Sequence, residues 1–370
     1  MRPLAILHVD PERRFGGGEA QVMGLLRHLV ATGQRQTLAA DPDGKLWRVA
    51  AAQGISVIPL RVRNHVDLLA GWRLARVMAG RRYDIVHFHT ARAHAMSLFL
   101  GPASGARRVV TRRMDYRPRG GPYARWLYNR AVDAVVAISD GVRDALLSAG
   151  VDRGRIHVIP SGVDIQRYQA TDRLRSAARA QYGLGADASV LAVVGALEPR
   201  KGHAALFDAV ARLRQPHVRI LCAGTGSLQE QLRAKCAALG LGGQVLFLGW
   251  VDDVATVLAA ADLVVMPSLQ EGLGVAALEA MAAGCPVIAS RVGGLPEALD
   301  EGRAGVLVPP GDDAALAVAI DGLLRDPARA RALAAAGHER VRSRFTMAGM
   351  AEATLALYHT LITKGGDDGN

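Results

Sequence analysis

Half of the 370 residues are apolar, enough to bury substantial cores, and the length favours two domains over one. Residues 1–165 carry 25 Lys and Arg against 13 Asp and Glu, while residues 166–370 carry 20 against 21, so the basic excess is N-terminal. Cys222, Cys236 and Cys285 form no CxxC pair or Cys/His cluster and read as small apolar residues in a reducing compartment; Asp262 and Glu279 break the longest apolar runs, and no secretory signal opens the chain. A cytoplasmic protein without a membrane span is expected.

Short runs rich in Val, Ile and Leu alternate with longer segments of helical periodicity, the pattern of parallel sheets covered by helices. In the first half, strands are predicted at Leu4–Val9, Thr37–Ala40, Val57–Leu60, Ile85–His89, Arg108–Thr111, Val135–Ile138 and His157–Ile159. Helices begin near Gly18, Val66, Arg92, Pro122 and Gly141. Pro160 and Gly162 end the last strand and a polar stretch runs on to Asp187, which puts a domain boundary near Ser161 and a linker after it. The alternation then restarts, with strands at Val190–Val194, Arg219–Ala223, Val245–Leu248, Leu263–Met266, Val287–Ala289 and Val306–Val308. Helical stretches at Pro327–Arg344 and Ala348–Leu361 follow, and the polar, glycine-rich end at 363–370 is expected to be disordered.

Four segments could carry chemistry. After the first strand, Gly16-Gly17-Gly18 precedes an apolar-periodic helix, so a phosphate could approach the backbone at the helix start; a plain turn fits equally well, and the spacing is neither GxGxxG nor a Walker loop. After the fourth strand comes His87-Phe88-His89-Thr90, then His94; alternation puts His87 and His89 on one side, and the strand-end position favours His89 as a site residue, with core packing as the competing explanation. The basic run from Arg107 through Arg112, Arg113, Arg117, Arg119 and Arg125 to Arg130 interleaves with Tyr116, Tyr123, Trp126 and Tyr128. It suits an anionic membrane face or an acidic acceptor, or else a solvated face; no recognition helix, zinc finger or RNA-binding signature favours nucleic acid.

The fourth segment runs from Pro267 to Ser290. Glu271 precedes the amides of Gly272, Leu273, Gly274 and Val275 at a helix start, and Glu279 lies about one turn inside an otherwise small, apolar helix. Two carboxylates there can accept hydrogen bonds from sugar and ribose hydroxyls while the amides between them face a diphosphate. No metal site is expected, because Asp41-Pro42-Asp43 reads as a turn and Asp252-Asp253 as a helix start.

The stretch Glu271 to Glu279 closely resembles the E-x7-E signature of the retaining family 4 glycosyltransferases. The likeness continues through Arg291-Val292-Gly293-Gly294-Leu295-Pro296-Glu297, through Gly195-Ala196-Leu197-Glu198-Pro199-Arg200-Lys201-Gly202, which is similar to the family's phosphate loop, and through the seam at Pro160–Asp164. It covers nearly the whole chain. The resemblance implies an α/β protein of GT-B type, with two Rossmann-like domains whose parallel sheets face a central cleft. Residues 1–160 would form the acceptor side and 161–345 the donor domain, with a C-terminal helix at 346–362 packing back on the first domain.

By the same resemblance Lys201 and Arg200 would hold the donor diphosphate, Glu271 the donor sugar and Glu279 the ribose. Gly17 and Gly18 would approach the phosphates, and Gly224, Trp250 and Val251 would flank the base. Two departures stand out. Ala196 occupies a place where the family usually has a phosphate-gripping arginine, which Arg200 could replace; and Arg113 stands where many members have a histidine, leaving His89, His94, Arg113 and Asp115 as candidate acceptor or sugar contacts. The implied reaction moves a sugar from a nucleotide-sugar to an acceptor hydroxyl with retention, without metal or other cofactor, onto a glycan or lipid-linked acceptor such as a lipopolysaccharide at the inner membrane face. The rival readings are a GT-B nucleotide-sugar epimerase and a noncatalytic sugar-nucleotide-binding protein.

Overall fold

The computed structural model describes residues 2–64, 67–100, 105–118, 121–169, 171–185 and 187–367. The helix start expected near Val66, Arg119 of the basic run and the last three residues of the tail lie outside them. The chain divides into two compact units, Met1–Gly162 with Met347–Asn370, and Val163–Thr346.

In the first unit, seven parallel strands follow the order β3-β2-β1-β4-β5-β6-β7. They are β1 (Ala5–Asp10), β2 (Arg35–Ala40), β3 (Ser56–Pro59), β4 (Ile85–Phe88), β5 (Arg107–Arg112), β6 (Ala134–Ala137) and β7 (Ile156–Val158). β1 and β4 are buried along their whole length, as apolar strands covered on both faces must be. The chain winds outward from β1 to β3 and returns to β4 beside β1, so the sheet's switch point lies between β1 and β4, with His8 opposite His87 in register. In open α/β sheets this is where ligands collect, at the C-terminal strand ends.

The helix Met347–Asp367 completes this unit's core. Ala351, Leu357 and Tyr358 pack with Leu4, Ile6, Leu25 and Val109, and Met347 lies so close to the helix Gly17–Ala31 that a Cβ on Gly24 would fall 2.2 Å from its sulfur. The helix continues to Asp367, past the point at 363 where disorder was expected.

The second unit carries six parallel strands in the order β10-β9-β8-β11-β12-β13. These are β8 (Ser189–Val194), β9 (Val218–Ala223), β10 (Val245–Gly249), β11 (Leu263–Met266), β12 (Val287–Ser290) and β13 (Val306–Val308). Its switch point lies between β8 and β11. Part of the stretch read as a polar linker is the helix Asp172–Gln181 of this unit, capped by Thr171, whose hydroxyl accepts from Leu174 N. Its composition hid it, because its anchors are arginines: Arg175 and Arg179 both reach Asp262, at 2.6 and 3.4 Å, and Asp262 also accepts from Val190 N. The helix Lys45–Ala52 of the first unit likewise has no counterpart in the sequence reading. Among the described residues no helix is long and apolar enough to cross a membrane.

Candidate active site

The second unit's switch point is built from two loops that leave adjacent strands. After β8, Gly195 to Glu198 lead into the 3-10 turn Pro199–Lys201; after β11, Pro267 to Glu271 lead to the helix Val275–Ala282. The loops are stitched by the Arg200 carbonyl, which accepts from Leu269 N at 2.7 Å and Gln270 N at 3.2 Å. That stitch delivers Lys201 to Glu271: Nζ lies 2.5 Å from Oε2, with the two side chains 13 % and 11 % exposed, and Ser268 Oγ donates to the same oxygen at 3.2 Å.

Glycines make the approach possible. Gly202 caps the helix His203–Leu213 at φ +66°, where a Cβ would sit 1.9 Å from Pro267 O; Gly224, at φ +147°, would place one 1.9 Å from Gly195 O. Gly274 caps the helix Val275–Ala282 at φ +88°, with Leu295 2.5 Å from where its Cβ would be. The first amides of that helix have no intrahelical acceptor, and a helix N-terminus favours an anion. Gly272 and Leu273 are buried beside it.

Arg200 turns its guanidinium to Glu198, Nε to Oε2 at 2.9 Å, so part of the charge that was to stand in for the residue at Ala196 is paired locally. Glu279 is held by the seam: Tyr168, buried at the end of the 3-10 turn Ile165–Tyr168, donates its hydroxyl to Oε1 at 2.7 Å. Burial raises the Glu279 carboxyl above its ordinary range, against the Tyr168 hydrogen bond, and burial followed by the neighbouring carboxylate raises the Tyr168 hydroxyl. Among the described residues Glu279 Oε2 makes no hydrogen bond. Gly224 N donates to Gly249 O at 2.8 Å, bringing Gly224 beside the strand end that carries Trp250 and Val251; the Trp250 ring is half exposed, its Nε1 on Asp252.

In the first unit, Gly16 N donates to Glu19 Oε2 at 2.7 Å, closing the start of the helix Gly17–Ala31. Arg113, just past β5, lies against Gly18, where a Cβ would meet its Cδ at 3.6 Å. Around this guanidinium, Asp10 at the end of β1 is held well above its ordinary range by burial and then by Glu19, with Arg113 opposing. Burial also raises Glu19 and lowers Arg113.

His89 is buried in a histidine cluster that sequence reasoning did not assemble. His8 Nδ1 and His89 Nε2 lie 2.9 Å apart, His8 Nε2 bonds Gln36 Oε1 at 2.7 Å, and His87 sits between Tyr358 OH at 2.5 Å and Thr111 Oγ1 at 2.7 Å. Ligand atoms of the three lie within 4.8 Å of one another, close enough for a metal ion. Both nitrogens of His8 and of His87 are already engaged, however, so the set reads as a hydrogen-bonded core. Burial pushes His8 down to about 4 and His87 and His89 well below their usual value, so all three are neutral at pH 7. Among the described residues His89 Nδ1 has no partner, and with Arg113, Gln21, Thr111 and Ser161 it lines a small cavity.

His94 goes elsewhere: it packs edge-on against Tyr128, with ring centroids 4.5 Å apart, and burial pushes it down to about 3. It is buried there, a placement that fits core packing. Asp115 lies half-buried in the loop after β5. Asp10, His8, Gln36 and Tyr168 are site-side residues that the sequence reading missed. Only Asp10, a carboxylate at a strand end, carried a local signal.

Known families, proteins and solved structures resemble this chain along most of its length. The family model described as glycosyltransferase family 4 matches residues 15–167, and that described as glycosyl transferases group 1 matches residues 188–326. The alpha-maltose-1-phosphate synthase of Mycobacterium tuberculosis is 32% identical over 97% of this chain and 99% of its own. The lipopolysaccharide core biosynthesis glycosyltransferase LpsE of Rhizobium meliloti is 30% identical over 92% and 95%. Among solved structures, Anabaena Alr3699/HepE in complex with UDP superposes with a TM-score of 0.85 at 25% identity, covering 96% of this chain and 100% of that one. Sucrose-phosphate synthase from Thermosynechococcus elongatus superposes at 0.84 with 26% identity, over 98% and 100%.

Proposed function

Because the chain belongs to the family 4 glycosyltransferases (glycosyl transferases group 1), and so is a glycosyltransferase of GT-B fold, we propose that it transfers a hexosyl group with retention from a nucleotide-sugar bound at the second unit's switch point. The observation that carries this reading is the Lys201–Glu271 pair, enclosed by Gly195, Gly202 and Gly274 beside a helix N-terminus. When the anomeric C–O bond to the diphosphate breaks, Lys201 and the helix amides stabilise the charge growing on the leaving oxygen. The acceptor oxygen bonds the anomeric carbon on the same face, and its proton goes to the leaving phosphate. Glu271 orients the sugar and Glu279 the ribose.

A diphosphate at this helix start would be met by Lys201 and the backbone amides, which supports transfer without a divalent ion. Arg113, Asp10 and His89 gather at the first unit's switch point and support an acceptor site there. The arginine-rich first unit, and the likeness to a lipopolysaccharide core enzyme, support an acceptor that is a membrane-linked glycan, with the protein cytoplasmic and peripheral to the inner leaflet. Buried, unpaired Cys222, Cys236 and Cys285, pushed up to about 12, 11 and 12, fit a reducing compartment.

The test is thermal stabilisation by UDP, GDP, ADP and their sugars, with and without chelator, followed by turnover and anomer-resolved NMR of the product. One nucleotide family should stabilise the protein undiminished by chelator, and the product should keep the donor's configuration. Absence of any shift for folded protein would favour the noncatalytic reading, and an inverted product would remove retention.

Tyr168 gives a sharper expectation. It fixes one oxygen of Glu279, so Tyr168→Phe should raise the donor KM about tenfold, the worth of a hydrogen bond to a carboxylate, with kcat nearly unchanged. A 2′,3′-dideoxy donor should bind wild type and variant alike. An equal loss for both donors would mean that Tyr168 does not act through the ribose.

A further inference from the structure

Three side chains converge on the small cavity of the first unit: His89 just past β4, Arg113 just past β5 and Ser161 after β7. His89 and Ser161 are 3 and 1 % exposed, Arg113 is partly exposed, and Val136, Ile138 and Met350 supply apolar wall. Every lining residue belongs to the first unit. Among the described residues His89 Nδ1, Ser161 Oγ and Arg113 Nε have no hydrogen-bond partner. The neighbouring polar groups are engaged: Gln21 Nε2 donates to Gly162 O at 2.8 Å while its Oε1 accepts from Gly162 N at 3.0 Å, and Thr111 Oγ1 bonds His87. Buried polar atoms are ordinarily paired, so three orphans around one space point to a ligand.

The histidine cluster fixes what that ligand must offer. Gln36 Oε1 can only accept, so His8 Nε2, 2.7 Å away, carries a hydrogen. His8 is neutral, which leaves its Nδ1 a bare acceptor, and His89 Nε2, 2.9 Å from it, must carry the hydrogen of that contact. His89 is neutral as well, so its Nδ1 turns a lone pair to the cavity.

Arg113 Nε can only donate, and the Ser161 hydroxyl can do either. An anion has no hydrogen to give His89, and the Arg113 charge is already faced by Glu19 and Asp10. A hydroxyl, with one hydrogen and two lone pairs, meets all three atoms.

We propose that a hydroxyl of a neutral sugar docks in this cavity, giving its hydrogen to His89 Nδ1 and accepting from Arg113 Nε and Ser161 Oγ. A water has the same donor and acceptor count, but the cavity lies at the C-terminal strand ends, where open sheets collect ligands, and its apolar wall suits the C–H face of a sugar ring. The inference rests on the reading of the first unit as the acceptor side and deepens it: His89 and Ser161 select an acceptor that brings an uncharged hydroxyl here in preference to a phosphate or carboxylate. It is tested without donor or turnover, so the two can fail separately.

The experiment combines heteronuclear NMR of labelled histidine rings in the full-length protein with ligand-observed NMR of D-glucose, D-galactose, D-mannose and, separately, inorganic phosphate. The His89 ring, assigned by the signal lost in His89→Gln, should carry its hydrogen on Nε2, and a neutral sugar should shift Nδ1 saturably while phosphate does not. Ser161→Ala removes an unpaired buried hydroxyl, so it should melt at or above the wild type yet bind the sugar about tenfold more weakly. His89→Gln, whose amide reaches the position of Nε2 and leaves nothing at Nδ1, should lose binding to a similar degree. His89→Asn, whose amide oxygen falls near Nδ1, should keep most of the binding while melting lower, because His8 loses its partner; a purely structural His89 would give Asn no such rescue. A hydrogen on Nδ1 with saturable phosphate binding would assign the cavity to an anion, silence with all three sugars would assign it to water, and undiminished binding in Ser161→Ala and His89→Gln would put the sugar elsewhere. Each overturns the inference. Stabilisation by nucleotide is read on the same samples: if it persists without sugar binding, this inference fails alone, and if it too is absent, the donor reading fails with it.

Discussion

Lys201→Ala should lower kcat/KM by about 10²–10³-fold, the range for removal of one preorganised group that meets developing charge. Nothing nearby can replace the lysine: Ala196 brings no charge, and Arg200 is bound to Glu198. The lysine stem runs over Gly195, where a Cβ would lie 3.6 Å from its Cδ, so Nζ reaches Glu271 from a backbone that cannot shift without moving β8. The pair is mostly buried, and deleting one partner strips the other of its counter-charge, which has a stability cost of its own. Chemistry and folding separate in a cycle of Lys201→Ala, Glu271→Ala and the double variant, each followed by steady-state kinetics and a thermal melt. Because the two side chains act as one unit, the double variant should be far less impaired than the product of the single effects. A wild-type rate in Lys201→Ala would remove the diphosphate role assigned here.

The parts of this fold legible in the sequence were those with a local cause. All thirteen strands were placed within about two residues, because strands buried on both faces are short apolar runs bounded by polar turns. The segment from Glu271 to Glu279 was legible because a carboxylate inside an Ala-rich helix has no structural reason of its own. What stayed hidden depends on which strands end up adjacent. His8 reads as a stray histidine in an apolar strand until β1 and β4 pair and place it on His89, 81 residues away. Tyr168 sits in a seam that reads as a connector, and its meaning lies in Glu279, 111 residues on. The helix Asp172–Gln181 hid for the opposite reason: its anchors are partly exposed arginines on Asp262, and apolar periodicity does not register them. His94, a near neighbour of His89 in sequence, packs instead on Tyr128, a contact that sequence spacing does not encode.

Gly202→Ala should be among the most damaging single-methyl changes near the site. Gly202 holds φ +66°, which strains an L-residue by about 1–2 kcal/mol. The added Cβ would also fall 1.9 Å from Pro267 O, an atom fixed by the end of β11, so the backbone must give way, at a further cost of about 1–3 kcal/mol. Together they amount to about 2–5 kcal/mol, and a unit of this size should melt about 10 °C lower. Because the displaced elements are the turn carrying Lys201 and the loop carrying Glu271, surviving folded protein should also lose most of its donor response. Gly243→Ala supplies the control, since φ there is not positive and nothing lies within 4 Å of the added methyl. It should be neutral or slightly stabilising through the unfolded chain. If both variants melt together with the wild type, the close approach of the two loops is not as described, and the Lys201–Glu271 geometry that rests on it loses its support.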